Sequence, residues 1–168
     1  MLYEITVPQF TKMLRNLNTI LGKAATHAEN KKFDLAVLLN SRLAPDMLNL
    51  TKQIQIACDS AKLCGARLSG VAAPTHEDNE TTLVQLTTRI DDVIKFLSQI
   101  PADSFKGAET KQITQPRWEG KYLTGWEYTV QHAIPNVYFH ITTAYAILRH
   151  NGVEIGKKDY LGEMPYKK

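Results

Sequence analysis

Apolar residues recur along this chain with the period of amphipathic helices. Phe10, Met13, Leu14, Leu17, Ile20 and Leu21 mark one face of a first helix expected to open after Thr6 and to run to about Ala28. Thr6 and Gln9 have the spacing of a capping box, and Pro8 suits a first turn, whose N–H groups have no partner inside the helix. Residues 31–34 read as a break, after which Asp34 can cap a short helical piece through Leu35, Val37, Leu38 and Leu39. Pro45 is expected to start a second long helix that Gly70 closes. Its stripe of Met47, Leu50, Ile54, Ala57, Cys58, Ala61, Gly65 and Leu68 consists of small and medium side chains, which let a neighbouring helix approach closely.

Residues 71–79 form a polar connector with capping residues. A third helix follows, with Leu83, Leu86, Ile90, Val93, Ile94 and Leu97 on one side and Pro101 as its stop. Between residues 102 and 123 the pattern changes to short alternating segments, 111–115 and 120–123, which predict a small hairpin supported by the helices around it. Thr124 and Glu127 again have capping-box spacing and open a short helix through Trp126, Val130 and Ala133. Pro135 is expected to start the last long helix, striped by Val137, Ile141, Ala144, Tyr145 and Leu148 and stopped by Asn151 and Gly152. The economical architecture is all-α, an antiparallel four-helix bundle in which a long connection with a small hairpin joins helices three and four.

Bulk properties narrow the function classes. With 168 residues, 43% hydrophobic and 22% charged, the chain can bury one core, so a single domain over residues 1–168 is expected. The net charge of +3 is spread along the chain to Lys167 and Lys168 without a dense basic block, which argues against nucleic acid. Residues 1–10 lack the basic start and apolar run of a secretory signal, and no stretch approaches the roughly 20 apolar residues of a membrane span. A cytoplasmic protein is expected. Cys58 and Cys64 fall about 9 Å apart along one helix and on different faces, too far to bridge, and read as core filler rather than nucleophiles.

Candidate chemistry is sparse. A helical metal site needs two ligands three or four residues apart on an inward face, and none of His27, His76, His132, His140 and His150 has such a partner. His27, at a helix end, and His76, in a polar loop, read as solvated, and His150 suits the negative end of its helix dipole. The separation of His132 and His140 depends on the bend at Pro135. His140, beside the apolar stripe of the last helix, is either a core histidine hydrogen-bonded to a neighbouring helix or a ligand or acid/base group. Asp59 sits in an otherwise apolar helix. It pairs at the surface with Lys62 or points inward, where His140 or Arg149 could partner it. Arg42 and Asp46 read as a local clamp, and Asp78 and Glu80 as first-turn acids of the third helix. Trp126, Tyr128, Tyr138 and Tyr145 could line a pocket or fill core. Nucleophile-elbow, phosphate-loop and dinucleotide signatures are absent.

Three segments carry a resemblance: Arg42 to Met47 (RLAPDM), Gln55 to Lys62 (QIACDSAK) and, most specifically, Pro135 to Gly152 (PNVYFHITTAYAILRHNG). With Asp78, Glu80 and Arg89 they resemble an uncharacterised bacterial branch, a domain of unknown function, within the DinB/YfiT-like metalloenzyme superfamily. The resemblance spans nearly the whole chain and implies a four-helix bundle with a right-handed long connection and frequent homodimers. It also implies, for the superfamily, a divalent metal on three histidines, one on the second helix and two spaced by four on the last, and in some members transfer of low-molecular-weight thiols. This chain departs from that pattern. Residues 45–69 contain no histidine and the last helix has no His-x-x-x-His. Aligning Arg149-His150-Asn151-Gly152 with the superfamily's His-Arg-Gly ending puts Tyr145 and Arg149 near the ligand positions, where neither would hold zinc.

The resemblance thus implies a metal-free polar pocket built from Asp59, His140, Tyr145 and Arg149. The first functional expectation is a protein without metal or cofactor that binds a small ligand or a partner through that pocket and a homodimer face. The alternative is a hydrolase or thiol transferase in which Asp59 orients His140 as base, with or without weakly held zinc or nickel. A third reading is a structural dimer whose polar interior fixes helix register.

Overall fold

In the computed structural model, residues 1–167 are described and Lys168 lies outside them. The all-α expectation is borne out. Four long helices, α1 (Leu2–Lys31), α3 (Leu50–Ser69), α4 (Leu83–Ser98) and α6 (Ile134–His150), carry the core, with short helices α2 (Ala36–Asn40), α5 (Gly125–Glu127) and α7 (Lys157–Leu161) between and after them. α1 packs on α4 and α6, and α3 packs on the same two, so the long helices form a ring of neighbours around one core. Leu14 and Leu17 of α1, Ile54 and Cys58 of α3, Ile90 and Val93 of α4, and Ile141 and Ala144 of α6 are fully buried there. Among the described residues no helix is long and apolar enough to cross a membrane.

Most of the expected stripes hold, though Met47 lies before α3 and Tyr145 is only half-buried, but two of the three prolines read as helix starts prove to be something else. α1 begins at Leu2, and Thr6 lies inside it, its hydroxyl donating to the Leu2 carbonyl at 2.6 Å instead of capping. Burial of Leu2 and Val7 extends the helix back through Pro8, at the cost of one backbone hydrogen bond. Pro45 sits in a turn. α3 starts at Leu50, where the Asn49 side chain accepts from Lys52 N at 3.0 Å, and Gly70 closes it in the left-handed region (φ 85°). Pro135 does stand in the first turn of the last helix, but that helix has no fresh start. α5 runs through a π-helical turn, Tyr128–Ala133, into α6 with right-handed dihedrals throughout. The wide turn takes up the missing N–H of Pro135 and relieves its ring from the carbonyl one turn earlier.

The Thr124–Glu127 capping box is present as expected, and a second, unforeseen one at Thr82 and Gln85 opens α4. The hairpin is also present but shorter than expected: β1 (Gln112–Ile113) pairs antiparallel with β2 (Leu123–Thr124). Lys111 Nζ ties it to the end of α3 through the Arg67 carbonyl at 2.7 Å. α7 was not expected. It packs along α1, held by Lys23 to Asp159 at 2.6 Å and by Asn16 Nδ2 donating to the Tyr160 carbonyl at 2.9 Å.

Two glycines mark close approaches. At Gly65 a Cβ would press on Leu97 and Ile100 side chains of the α4 end, as the small-residue stripe predicted, whereas at Gly125 it would run into the backbone carbonyl of Ala108. Side-chain tips can give and a carbonyl cannot. Gly125→Ala is therefore expected to cost about 1–3 kcal/mol, and Gly65→Ala less, by urea denaturation. Equal costs at the two positions would contradict this account.

Candidate functional site

The helices do not bring the expected four residues together. Asp59 is half-buried on α3, but its partners are Arg89 and Lys62, each 2.8 Å from Oδ1, and neither His140 nor Arg149. Arg149 is exposed on the outer side of α6. Tyr145 is half-buried and meets Tyr160 of α7 edge-to-face at 6.0 Å. Tyr145 lies four and Arg149 eight residues on from Ile141, and neither is buried with His140, Ile141, Ala144 and Ile147.

His140 is the core histidine of the first alternative. Its Nδ1 lies 2.7 Å from Gln53 Oε1 on α3, and an amide oxygen only accepts, so Nδ1 carries the proton. Gln53 Nε2 in turn donates to the Leu48 carbonyl at 3.1 Å, which fixes the amide's orientation. Burial pushes the imidazole below its ordinary range and keeps it neutral. The implied metal finds no matching donors. Opposite His140 stands a neutral amide, and among the described residues no three His, Cys, Asp or Glu side chains are placed to hold an ion.

Arg89 is the charged centre that sequence reasoning missed. Its side chain, 1% exposed, projects from the inner face of α4. NH1 donates to Asp78 Oδ1 at 2.6 Å and Glu80 Oε1 at 2.9 Å, while NH2 faces Asp59. Asp78 and Glu80 thus precede α4 and grip its arginine, rather than serving as first-turn acids. Gln55 Nε2 donates to the other Glu80 oxygen at 2.8 Å. Lys62, only 5% exposed, joins Asp59 to His76 Nδ1 at 2.8 Å; an ammonium only donates, so that nitrogen accepts and His76 is neutral. The contacts on Asp59 Oδ1 are ion pairs rather than aligned hydrogen bonds. Burial opposes the charge of Glu80, but its hydrogen bonds to Arg89 and Gln55 outweigh that and hold its carboxyl below the usual range. The network fastens the 71–81 connector to α3 and α4. Within it Arg89 Nε and Gln55 Oε1 are buried without a hydrogen-bond partner.

The open space lies next to it. A cavity of about 310 Å³ sits between α3, the 115–117 segment and the π-helical turn that leads into α6, and of the expected site residues it includes Asp59 alone. Of the four aromatic candidates only Tyr128 lines it. Arg67 NH1 donates to the Tyr128 hydroxyl at 3.0 Å, its guanidinium 5.7 Å above the ring, and burial pushes the phenol up to about 12. His132 stacks on Tyr128 with centroids 5.5 Å apart, and its Nε2 lies 2.9 Å from Arg117 NH2. A guanidinium only donates, so His132 accepts at Nε2 and its proton sits on Nδ1. Burial, then Arg117 and Arg67, lower its pKa. His132 Nδ1 and Gln115 Nε2 are buried without a partner. A second hollow, of about 540 Å³, shares Arg117 and His132. Arg67 and Arg117 gave no signal in the sequence, standing as single cations in a helix end and a connector.

The thiols lie outside this chemistry. Cys58 and Cys64 are free and wholly buried, and burial raises both to about 12, which leaves almost no thiolate at neutral pH. With a chromogenic disulfide reagent, native protein is expected to stay unlabelled over minutes while urea-unfolded protein reacts at both residues. Prompt native labelling would contradict the burial.

Two comparisons place these features. The family profile described as "Domain of unknown function (DUF1993)" matches residues 2–161. The crystal structure of a DinB family member protein from Shewanella denitrificans is 62% identical, over 100% of this chain and 96% of that one, with a TM-score of 0.97. No curated protein matches the chain.

Proposed function

Since the chain belongs to the DUF1993 family, with a DinB-like fold, we propose that it is a metal-free protein that binds a small ligand in the cavity between α3 and α6. The observation that carries this reading is a cavity of molecular size whose lining includes His132 and Gln115, two residues that each hold a buried donor, Nδ1 and Nε2, without a partner. Buried donors are seldom left idle, and a bound molecule would satisfy them. His140 supports no competing acid/base reading, because Gln53 holds its ring and it does not line this cavity.

Two measurements test the proposal. Elemental analysis of protein purified without an affinity tag is expected to find zinc and nickel far below stoichiometry, and a stoichiometric metal lost in His140→Ala would refute the metal-free reading. Ligand-observed NMR with fragments of mixed charge is expected to find binders that Ser60→Phe, which fills the cavity, no longer holds. Fragments that bind this variant as well as wild type would move the site elsewhere. We further propose a cytoplasmic homodimer, a reading supported by the two free thiols for the compartment. A sedimentation mass equal to one chain would exclude the dimer.

A further inference from the structure

We infer that the ligand of the α3–α6 cavity is a small organic carboxylate, its anionic end held between Arg67 and Arg117 and its hydrocarbon body laid against Ile56, Leu63 and Ala133. The inference rests on that cavity being the ligand site and names the chemistry it would select.

Among the described residues, neither cavity arginine is neutralised by a carboxylate. Arg89 has three carboxylates and Lys62 has Asp59, whereas neither Arg67 nor Arg117 forms an ion pair among the described residues. Each spends one N–H on an internal acceptor, the Tyr128 hydroxyl and His132 Nε2 respectively. A guanidinium carries five such donors, so most of each fork remains for a ligand, and planar forks match carboxylate geometry. The remaining polar lining agrees. His132 carries a buried Nδ1–H without a partner, Gln115 is 9% exposed with its amide nitrogen unpartnered, and the Ser60 hydroxyl already accepts from Asn136 at 2.8 Å. Asp59 is the one acid on the wall, and its Oδ1 is engaged by Arg89 and Lys62.

Donors therefore outnumber free acceptors. A cationic ligand would meet two uncompensated guanidiniums, and a neutral one would leave them unpaired. The volume, about 310 Å³, stands at the lower end of small-molecule sites. An inorganic oxyanion has no apolar part to place on Ile56, Leu63 and Ala133, whereas a short organic acid has one.

Calorimetric titration of the whole chain tests this with monocarboxylates from butyrate to benzoate, each paired with its primary amide, and with inorganic phosphate and phenyl phosphate. At least one carboxylate is expected to saturate one site. Its amide should bind at least about tenfold more weakly, and Arg117→Met should weaken the acid by about tenfold or more. Arg117 is exposed on a connector, so that variant keeps its fold; Arg67→Met, which also uncovers Tyr128, is read beside it. An amide as tight as its acid, or phenyl phosphate about tenfold tighter than any carboxylate, would overturn the assignment while fragments still occupy the cavity. Failure of every anion and every fragment would overturn both proposals together.

Discussion

Replacing Arg89 with alanine should destabilise the protein by about 3–5 kcal/mol, the cost of removing one member of a buried ion network and leaving its partners charged. The guanidinium is 1% exposed and stands between Asp59, Asp78 and Glu80. Without it, Glu80, itself 10% exposed, keeps the amide of Gln55 but no cation. Lys62 stays with Asp59 at 2.8 Å and Lys52 with Asp78 at 3.7 Å, so the loss falls most heavily on Glu80. For a chain of this size the melting temperature should fall by about 10 °C. Arg89→Lys should lie between, because an ammonium keeps the charge but cannot span Asp78 and Glu80 as the fork does. Adding Glu80→Gln to Arg89→Met should recover part of the loss, since the uncompensated charge rather than the missing contact dominates it. A cost below about 1 kcal/mol for Arg89→Ala, or no recovery in the double variant, would show that solvent reaches the carboxylates in the folded protein.

That network shows why the fold was more legible than the site. Helix stripes are local: Leu14 and Leu17, or Ile90 and Val93, announce their face within two turns, and the bundle follows from several such faces. Prolines 8 and 45 misled because the preference for proline in a first turn is a weak local term, and at Pro135 the helix runs on from a π-helical turn instead of starting afresh. Burial of Leu2 outweighs that preference at Pro8, and burial of Tyr128, Thr129 and Ala133 carries the helix through the π-helical turn. α7 spans five residues, too few to show a period. Asp59 was visible as a lone acid on an apolar stripe, but its partner Arg89 lies thirty positions on, beyond a connector, and only the packing of α3 on α4 joins them. Tyr145 and Arg149 were nominated by the chain's likeness at its last helix, and the phase of α6 sends them to its flank. Arg67, Arg117 and Gln115 converge because Lys111 ties the hairpin to the end of α3, a contact without a sequence signature.

The second large effect should appear as a bell-shaped dependence of stability on pH, with a steep alkaline side. Cys58 and Cys64 have an ordinary thiol value of 9.0 and are raised by burial to about 12; Tyr128 goes from 10.0 to about 12 for the same reason. Folding raises these three acids, so the stability they contribute is complete below the unfolded values and is lost as pH climbs toward the folded ones. Between pH 10 and 12 unfolding should release up to three protons, each worth about 1.4 kcal/mol per pH unit. On the acid side the sign reverses. Burial depresses His140, His132 and His76 below 6.5, and Glu80 lies below 4.5 for the reasons given above, so their contribution is present above those values and lost as pH falls. His140, the most buried of the histidines, should dominate the first part of that decline, and His140→Asn should flatten it. Cys64→Ala should remove one proton's worth of slope from the alkaline side. Urea midpoints measured from about pH 4 to 11 read both limbs. A midpoint that holds constant above pH 9 would mean that the thiols and Tyr128 reach solvent in the native protein, against the burial of all three.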